Sequence, residues 1–482
     1  MDKESFREKE LEILRAAVDK AERISGKQMT SSEDIKRMIE IVEDFLRKKK
    51  LICYGGTAIN NILPDQDKFY DKDVEIPDYD FFSNNAMEDA IELADIYSKE
   101  GFDEVEAKSG VHKGTYKVFV NFTPVADITQ LDKEIFDNLY RDSINVIGIR
   151  YASPNFLRMA MYLELSRPMG DVSRWEKVLK RLTLLNKHYP LKGHNCDNVE
   201  FQRTTKGNKD DNSDLSNVAR TTLINMGVVF FGGFALSEYS KYMPKNIRSK
   251  FSNIPDFDVL SENPQQTADI LKDQLQEGGY TRVKVVRHEN IGELVAPHYD
   301  VRVGDETICF IYEPLACHSY NVIHIKGMTV KIATIDTMLS FYLAFLYTDR
   351  PYYNDDRILC MCEFLFQVQQ KNRLQQKGIL RRFSVKCYGD QATLGSIRET
   401  KAKKYQELKD KRGSREWNEW FLRYTPNERS STKPKSGKTK KTKKGKGNGK
   451  GKGNSKGKGN SKGKGKNKTQ KQRGILTTLK FF

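Results

Sequence analysis

The sequence predicts an α+β protein in which one structural unit occurs twice in tandem, followed by a disordered basic tail. Three observations lead to this fold class. Short apolar strand-like runs alternate with helix-like stretches, motifs of the first half recur in the same order in the second half, and the excess positive charge lies in one C-terminal stretch. The 482 residues give room for two to four domains of about 100–200 residues each.

The positive charge of the chain is concentrated near its end. Lys and Arg total 82 against 65 Asp and Glu, a net charge of +17. The stretch 433–473 holds 18 of the basic residues and no acidic one, so the rest of the chain carries 64 basic against 65 acidic residues. Because this stretch alternates Lys with Gly, Asn and Ser, we expect a disordered polycation that gathers nucleic acid by counterion release. A solubilising or nuclear-localisation-like tail is the alternative.

The cysteines and apolar runs indicate the class of protein. The seven cysteines are scattered and form no CxxC pair, so we expect reduced thiols and no zinc site. The N-terminus is charged throughout and lacks the apolar core of a signal peptide. No apolar run approaches the roughly 18 residues that span a bilayer. The sequence therefore predicts a soluble intracellular protein with no membrane partner.

Two amphipathic helices are predicted before the first strand, within residues 1–48. The first has an apolar stripe of Leu11, Leu14, Val18 and Ala21 at 3- and 4-residue spacing. The second begins at the capping sequence 30–33, and its apolar positions are Ile35, Met38, Ile41, Val42 and Phe45.

The remaining boundaries follow from composition. The first α/β unit is predicted over 49–190, and a polar linker rich in Gly, Asn and Asp follows over 191–217. The second unit is predicted over 218–370, a basic helical extension over 371–432 and the disordered tail over 433–482.

Four pairs of matching segments indicate the duplication. They occur in the same order, with offsets of 177, 178, 190 and 183 residues. The pairs are Tyr54–Ala58 with Phe231–Ala235, Pro77–Asp80 with Pro255–Asp258, Val118–Asp127 with Ile308–Cys317, and Ile149–Pro168 with Ile332–Pro351. Short strings such as GG and DxD recur by chance, but the shared order and contexts favour two copies of one unit.

Three carboxylates of the first copy stand out chemically. Asp78 and Asp80 are two residues apart, so on a strand they face the same side. Asp127 interrupts an apolar strand, where an unpaired carboxylate is costly to bury. A divalent metal resolves both problems, because three carboxylates on adjacent strands can hold two Mg²⁺ ions about 3.5–4 Å apart.

A glycine turn precedes these carboxylates. Gly55, Gly56 and Thr57 lie between a short strand and a segment that can open as a helix. Glycines at a helix N-terminus let backbone N–H groups approach phosphate oxygens, and the Thr57 hydroxyl can add a hydrogen bond. No Gly-Lys-Ser/Thr follows, so this is not a Walker loop.

The strings CYGGTAINNILP, EIPDYDFFS, GTYKVFVNF and ADIT together resemble the DNA polymerase β-type nucleotidyltransferase superfamily. Within it they resemble the poly(A) polymerase catalytic subunits of large DNA viruses, the giant-virus and poxvirus-related group. The resemblance is close over about 50–185 and extends to about 370 through the second copy. It implies two tandem nucleotidyltransferase-like domains, each a small mixed sheet flanked by helices.

The resemblance also implies roles for individual residues. Asp78, Asp80 and Asp127 would be the catalytic carboxylates that bind two Mg²⁺ or Mn²⁺ ions. Gly55, Gly56 and Thr57 would hold the β- and γ-phosphates of ATP. One departure is the 22-residue distance from Gly56 to Asp78, which is longer than usual because of the charged insertion DQDKFYDKDVE; we expect it to form a loop near the site.

Superfamily members pack a helical region over the nucleotide, and here it would carry several cations. Arg174 and Lys177, together with Lys180 and Arg181, lie on a predicted helix where a cation could meet the triphosphate. The alternative is an exposed basic helix with Trp175 in the core.

The second copy lacks two of the site residues. In the sequence matches, Phe234 stands in the place of Thr57 and Cys317 in the place of Asp127, whereas Asp256 and Asp258 are kept. A thiol is a poor Mg²⁺ ligand. The second copy is therefore predicted to be degenerate, a non-catalytic scaffold that shapes an RNA groove or a subunit interface.

The resemblance implies a template-independent polyadenylate polymerase that adds AMP from ATP to the 3′ end of viral mRNA. The alternatives are a uridylyl, CCA-adding or cyclic-dinucleotide enzyme of the same superfamily, or a non-catalytic RNA-binding scaffold. The relatives imply a homodimer or a separate processivity subunit as partner. They also imply a cytoplasmic viral factory as location, with packaging in the virion as a further option.

Overall fold

The computed structural model describes residues 9–18, 20, 21, 24, 32–70, 77–199, 201, 209–243, 245–248, 251 and 256–426. The described residues all belong to one compact unit. The basic tail predicted over 433–482 lies outside the described residues, so that prediction stays untested.

The described strands form two mixed eight-stranded sheets. In spatial order the first sheet contains β16 (Arg423–Tyr424), β3 (Val105–Ser109), β4 (Thr115–Val120), β5 (Thr123–Gln130), β2 (Tyr79–Ser83), β1 (Ile52–Cys53), β7 (Ile149–Tyr151) and β6 (Ile144–Val146). The second contains β10 (Val283–His288), β11 (His298–Val303), β12 (Glu306–Tyr312), β9 (Phe257–Leu260), β8 (Val229–Phe230), β14 (Met328–Ala333), β13 (His318–Ile325) and β15 (Cys387–Tyr388).

Seven strands of each sheet have the same order. The sequence β3-β4-β5-β2-β1-β7-β6 of the first sheet corresponds strand by strand to β10-β11-β12-β9-β8-β14-β13 of the second. Pairing directions also agree, since β2 pairs with β5 and β9 with β12 in parallel. The predicted α+β fold with two copies of one unit is confirmed.

Helices flank the sheets. The first helical residues, 9–18, are α1. The others are α2 (Glu33–Lys49), α3 (Gly55–Ile62), α4 (Ala86–Lys99), α5 (Lys133–Asp142), α6 (Pro154–Leu165), α7 (Trp175–His188), α8 (Lys209–Asn225), α9 (Gly233–Ser240), α10 (Lys245–Arg248), α11 (Pro264–Glu277), α12 (Ile335–Phe345), α13 (Asp355–Lys371), α14 (Leu394–Leu408) and α15 (Arg415–Phe421). Within the described part of the chain, no helix is both long and apolar enough to cross a membrane.

The two N-terminal helices differ in what they bury. The prediction for α2 is confirmed, since Met38, Ile41, Val42 and Phe45 are buried against the first sheet's core. Helix α1 is also present, but its apolar residues are exposed in the described structure, with Leu14 57% accessible. The 3.6-residue period therefore predicts both helices correctly but not which of them is packed.

The two copies pack through equivalent helices, α6 and α12. Each follows the corresponding strand and is capped by a hydroxyl, from Ser153 in the first copy and Thr334 in the second. Tyr347 joins the copies, because its hydroxyl is hydrogen-bonded to Ser153 at 2.6 Å and its ring meets Phe156 edge-on at 5.0 Å. The copies thus share one continuous hydrophobic core.

The strand register corrects two of the sequence matches. Asp80 lies opposite Asp127 in the β2–β5 pair, whereas Asp258 lies opposite Phe310 in the β9–β12 pair. Phe310, rather than Cys317, therefore occupies the position of Asp127, and Cys317 lies beyond the end of β12. The wrong match followed a shared Pro-x-Ala string. The N-cap residues Ser153 and Thr334 are 181 residues apart. The match that starts at Ile149 assumed an offset of 183, so it is also wrong by two residues.

The expectation of seven reduced thiols is wrong for four cysteines. Cys196 is bonded to Cys360 and Cys317 to Cys387, with Cα–Cα distances of 5.5 and 5.2 Å. The partners are 164 and 70 residues apart, so no local motif indicates the pairing. The first bond ties the predicted linker to α13, and the second ties β15 to the segment before β13. The free cysteines are Cys53, Cys309 and Cys362.

The predicted basic extension connects the outer edges of both sheets. Its strand β15 pairs with β13 at one edge of the second sheet, and β16 pairs with β3 at one edge of the first. Between them, the backbone carbonyl of Trp420 accepts a hydrogen bond from Ser109 at 2.8 Å. The extension is therefore mixed α and β rather than helical throughout.

Candidate active site

The three predicted carboxylates lie on adjacent strands of the first sheet. Asp80 of β2 is the register partner of Asp127 of β5, and neighbouring strands are about 4.8 Å apart. Asp78 comes one residue before β2, on the same side as Asp80. Asp78 is exposed, Asp80 is half-buried and Asp127 is buried. The structure thus brings the three side chains to one region of the sheet.

The pKa of a buried tyrosine is affected by all three carboxylates. The pKa of Tyr54 is raised well above its usual value, first by burial and then by the negative charges of Asp80, Asp127 and Asp78. Its hydroxyl is hydrogen-bonded to Thr129 at 2.9 Å. All three carboxylates therefore act on a single buried phenol at the end of β1.

Lys117 is a site residue that the sequence analysis missed. It lies on β4, directly opposite Asp127, and its ammonium group is ion-paired with that carboxylate. Sequence reasoning could have noted a lysine inside the apolar strand TYKVFV, but its partner depends on the β4–β5 register. The pair supplies the positive charge that a buried carboxylate needs.

The donor set suits a hard divalent cation, because it consists of carboxylate oxygens alone. Within the described residues, however, no group of three or more His, Cys, Asp or Glu side chains converges on one point as a metal site. Asp127 is instead ion-paired with Lys117 of β4. The residues fit the predicted ions in chemistry, with Lys117 providing the countercharge in this structure.

The glycine turn needs both of its glycines. Gly55 has φ of 73°, which disfavours other residues, and a Cβ there would meet Asp80 Oδ2 at 2.9 Å. A Cβ on Gly56 would lie 2.6 Å from Tyr70 Oη and 2.9 Å from the Arg181 guanidinium. The turn therefore lies between the Asp80 carboxylate and a buried cation.

Thr57 links the turn to the carboxylates. Its hydroxyl donates a hydrogen bond to the backbone carbonyl of Asp78 at 2.7 Å. In this structure the hydroxyl proton is thus engaged in positioning the segment before β2, which differs from the predicted contact with phosphate.

Arg181 is the cation that contacts the glycine turn. It is buried on α7, donates to the Tyr70 hydroxyl at 2.5 Å and lies 4.9 Å from the centroid of the Phe69 ring. Arg174 and Lys177, the two cations predicted as nucleotide contacts, lie seven and four residues before it, which is the spacing of one helix face. Sequence analysis could find this face, but not which of its cations is buried.

Arg174 and Trp175 have packing contacts. The Arg174 guanidinium is 3.3 Å from a Glu164 carboxylate oxygen, and the Trp175 indole donates to the Glu164 carbonyl at 3.1 Å. Trp175 is half-buried beside Phe383, as the packing alternative predicts. Lys177 is exposed.

The described part of the charged insertion, up to Tyr70, lies beside the site as predicted. The buried Asn60 of α3 accepts hydrogen bonds from the backbone N–H groups of Phe69 and Tyr70 at 2.8 and 2.9 Å. Asp67 pairs with Lys187 and His188 of α7 at 2.7 and 2.5 Å. These contacts place the Tyr70 hydroxyl over Gly56.

The corresponding turn of the second copy is closed by its own carboxylates. The side chains of Asp258 and Asp256 lie directly against the Cα atoms of Gly232 and Gly233. Asp256 is buried and ion-paired with Arg357 of α13 at 3.5 Å. Negative charge therefore fills the position that Arg181 reaches in the first copy.

Comparisons with known proteins agree with the predicted resemblance. Residues 40–171 match the family described as "Poly(A) polymerase catalytic subunit", a range that includes the glycine turn and all three carboxylates. Proteins provisionally named as poly(A) polymerase catalytic subunits are similar in sequence. One from African swine fever virus is 34% identical over 180 residues, and one from Acanthamoeba polyphaga mimivirus is 31% identical over 189 residues.

These alignments cover part of each chain. They include 36% and 38% of this chain and 38% and 31% of the two relatives, respectively. The crystal structure of the Megavirus polyadenylate synthase has the same fold, with a TM-score of 0.73 and 21% identity, covering 89% of this chain and 87% of that one. The resemblance to this viral group is confirmed, over the N-terminal copy in sequence and over most of the chain in fold.

Proposed function

We propose that the chain is a template-independent polyadenylate polymerase that transfers AMP from ATP to the 3′ hydroxyl of RNA. One observation carries the proposal: Asp80 and Asp127 oppose each other on neighbouring parallel strands, beside a glycine turn that contacts the buried Arg181. The names of the sequence relatives give the choice of adenylate.

In this proposal Asp78, Asp80 and Asp127 hold two Mg²⁺ or Mn²⁺ ions. When bound, such ions lower the pKa of the attacking hydroxyl and neutralise charge on the leaving pyrophosphate. Thr57 keeps Asp78 in place through its hydrogen bond to the Asp78 carbonyl. No protein nucleophile is needed, so the chain contributes position and fixed charge.

Lys117 has a separate role in the proposed reaction. Its ammonium neutralises Asp127 before a cation arrives, so the buried carboxylate is never without a countercharge. Because Lys117 is about one-third exposed, its side chain can swing toward solvent when the countercharge is replaced.

The triphosphate would bind at the glycine turn. The backbone N–H groups at the start of α3 favour negative charge, and Arg181 adds a guanidinium 2.9 Å from the Cβ position of Gly56. The Tyr70 hydroxyl lies over the same glycine, so a phosphate at this position requires Tyr70 to move. Gly55, Gly56 and Arg181 would then line the phosphates, with Lys177 and Arg174 along the same face of α7.

Primer extension with each of the four ribonucleoside triphosphates tests the proposal. The protein, an RNA primer and either Mg²⁺ or Mn²⁺ should give a ladder of added residues with ATP. Extension by UTP without ATP would identify a uridylyl transferase, addition restricted to C and A would identify a CCA-adding enzyme, and a cyclic product without primer a cyclic-dinucleotide enzyme. No product with any triphosphate would leave only the RNA-binding scaffold.

The remaining parts of the proposal concern partners and location. Either a homodimer or a viral processivity subunit would explain long tails, and light scattering of the protein with and without RNA distinguishes a dimer from a monomer. The similar sequences come from large DNA viruses, which supports action on viral mRNA in the cytoplasm of the infected cell.

A further inference from the structure

A line of directly opposed residues crosses the first sheet from the candidate active site to the strand β16. Asp80 on β2 lies opposite Asp127 on β5, and Asp127 lies opposite Lys117 on β4. Lys117 lies opposite Lys108 on β3, and Lys108 lies opposite Arg423 on β16. Opposed residues on neighbouring strands point to the same face of a sheet. Two carboxylates are therefore followed by three cations, which we call the cationic row.

Side-chain contacts agree that the row lies on one face. Glu106, two residues before Lys108 on β3, pairs with both Lys108 and Arg423 at 3.0 Å. The Lys108 ammonium also lies 3.9 Å from the ring centroid of Phe119, which comes two residues after Lys117 on β4. These contacts hold Lys108 and Arg423 on the same side of the sheet as Lys117.

The cationic row is accessible to a ligand. The side chains of Lys117, Lys108 and Arg423 are 30%, 39% and 83% exposed. An ammonium has three donors and a guanidinium five, so pairing with Glu106 leaves Lys108 and Arg423 with donors for a second acceptor. A line of cations beside a site for phosphate chemistry suits the repeated phosphates of a nucleic-acid strand.

The strand order determines the side from which an attacking RNA strand must come. Under the proposed function, the pyrophosphate leaves at the glycine turn, which follows β1. Across the sheet β1 lies beside β2, whereas the cationic row begins on β4, beyond β5. The attacking and leaving oxygens lie roughly in line through the transferred phosphorus. The RNA 3′ end must therefore approach from the side of β4, where the cations lie.

The second copy differs along the equivalent line. There Asp258 and Phe310 are followed by Asp300 on β11 and Val286 on β10, so the described strands of this line carry no cation. The last cation of the first copy, Arg423, comes from the extension that follows the second copy. Residues 371–426 contain 15 basic and 6 acidic residues, against 47 and 58 in residues 1–370. A basic segment thus completes the line in the first copy.

We propose that the cationic row binds the backbone phosphates of single-stranded RNA and guides its 3′ end to Asp127. This inference rests on the proposed function. From Asp127 to Arg423 the row crosses three strand intervals, about 14 Å in total. At about 3.4 Å per nucleotide of a stacked strand, this length corresponds to about four nucleotides. Arg423 precedes Lys433, the first lysine of the basic tail, by ten residues in the chain.

Steady-state extension of a 12-residue RNA primer by the full chain, at saturating ATP, tests the proposal. The double variant Lys108→Gln with Arg423→Gln should raise the KM for primer about 10-fold at about 0.1 M salt, and by more than it lowers kcat. Each phosphate contact with a single strand contributes about 0.7 to the salt slope of log affinity, so the slope should fall by about 1.4. The matched control, Lys284→Gln with Arg287→Gln, removes two exposed cations from β10 and should change the KM less than twofold.

Glu106→Gln should have an effect of opposite sign. It removes a carboxylate that competes with phosphate for Lys108 and Arg423, so the KM for primer should fall about 2- to 5-fold. Damage to the fold would not tighten RNA binding. An unchanged or raised KM in Glu106→Gln, or the same KM in the double variant and its control, would overturn the proposal.

Photocrosslinking separates this proposal from the proposed function, because it needs no catalysis. A primer with a 3′-deoxy end and 4-thiouridine about four nucleotides from that end should crosslink to the peptides of β3 or β16. Crosslinks only to other peptides, in a protein that extends RNA with ATP, would overturn the cationic row and leave the proposed function intact. Crosslinks to β3 or β16 in a protein that adds no nucleotide would support the row and contradict the polymerase.

Discussion

The two copies have the same strand order but different charges at the same positions. In the first copy, Asp127 faces Asp80 on one side and Lys117 on the other. In the second, Phe310 faces Asp258 and Asp300 at the equivalent positions. The same strand order therefore occurs with different side chains at these positions of the central strands.

The two glycine turns differ in the charge of the side chain that lies against them. Gly56 contacts the guanidinium of Arg181, whereas Gly233 contacts the carboxylate of Asp256. The backbone of both turns begins a helix after a short strand. The difference in charge comes from side chains on other elements, so function is decided by what covers the turn.

The largest expected effect is loss of catalysis in the first copy alone. Asp78→Asn or Asp80→Asn should lower AMP addition by about 10³-fold, since a lost metal ligand removes several kcal/mol of transition-state stabilisation. The matched control is Asp256→Asn, at the position equivalent to Asp78. It should keep more than a tenth of the wild-type rate while lowering the melting temperature, because Arg357 loses its partner. Rate assays and thermal unfolding of the three variants check this.

The second-largest effect is expected for a substitution of Arg181. Arg181→Gln should raise the KM for ATP about 10- to 100-fold, because a hydrogen bond to a charged group contributes about 1.5–3 kcal/mol. Lys180→Gln is the control, since Lys180 is exposed and pairs with Glu176. Steady-state kinetics with varied ATP measure both. An unchanged KM in Arg181→Gln would show that the turn binds triphosphate without this cation, and would remove one difference between the copies.

A smaller effect is expected for Lys117. Lys117→Met leaves Asp127 without its countercharge, so the free energy of unfolding should fall by about 1–3 kcal/mol. Mn²⁺ should raise the melting temperature of this variant more than that of the wild type, because the cation replaces the lost ammonium. Calorimetry with and without Mn²⁺ measures the melting temperatures of both proteins. Identical shifts in both proteins would mean that Asp127 does not contact the cation.

The smallest effect on chemistry is expected from the tail. Deletion of 433–473 removes 18 basic residues, so RNA affinity and its dependence on salt should fall. Addition of a single AMP at saturating RNA should change less than twofold. Filter binding over a series of salt concentrations and a single-turnover assay measure the two quantities. Loss of single-AMP addition would show that the tail is part of the active site.

Sequence analysis identifies the features of the candidate site that depend on residues close together in the chain. The turn at Gly55 and the Asp78–Asp80 pair are local motifs, and Asp127 stands out as a charge in an apolar strand. Lys117 could not be identified, and Arg181 could not be singled out among the cations of its helix, because their partners are set by strand register and helix packing. The same cause explains why Phe310 was missed, since a Pro-x-Ala match outweighed the register of β12.

The disulfide pairs show the same limit in another form. Cys317 and Cys387 are 70 residues apart and meet only where β15 joins the edge of the second sheet. Composition and spacing carry no information on such a meeting. Sequence analysis therefore predicts which elements form and which motifs carry chemistry, whereas partners across the fold need the three-dimensional structure.

The central claim is that catalysis resides in the first copy and depends on the carboxylate that the second copy has replaced by an aromatic ring. Single-turnover addition of AMP to an RNA primer, measured for the wild type and Asp127→Asn at equal folded fractions, tests it most directly. We predict addition by the wild type and a rate about 10³-fold lower in Asp127→Asn. Equal rates in the two proteins would contradict the claim.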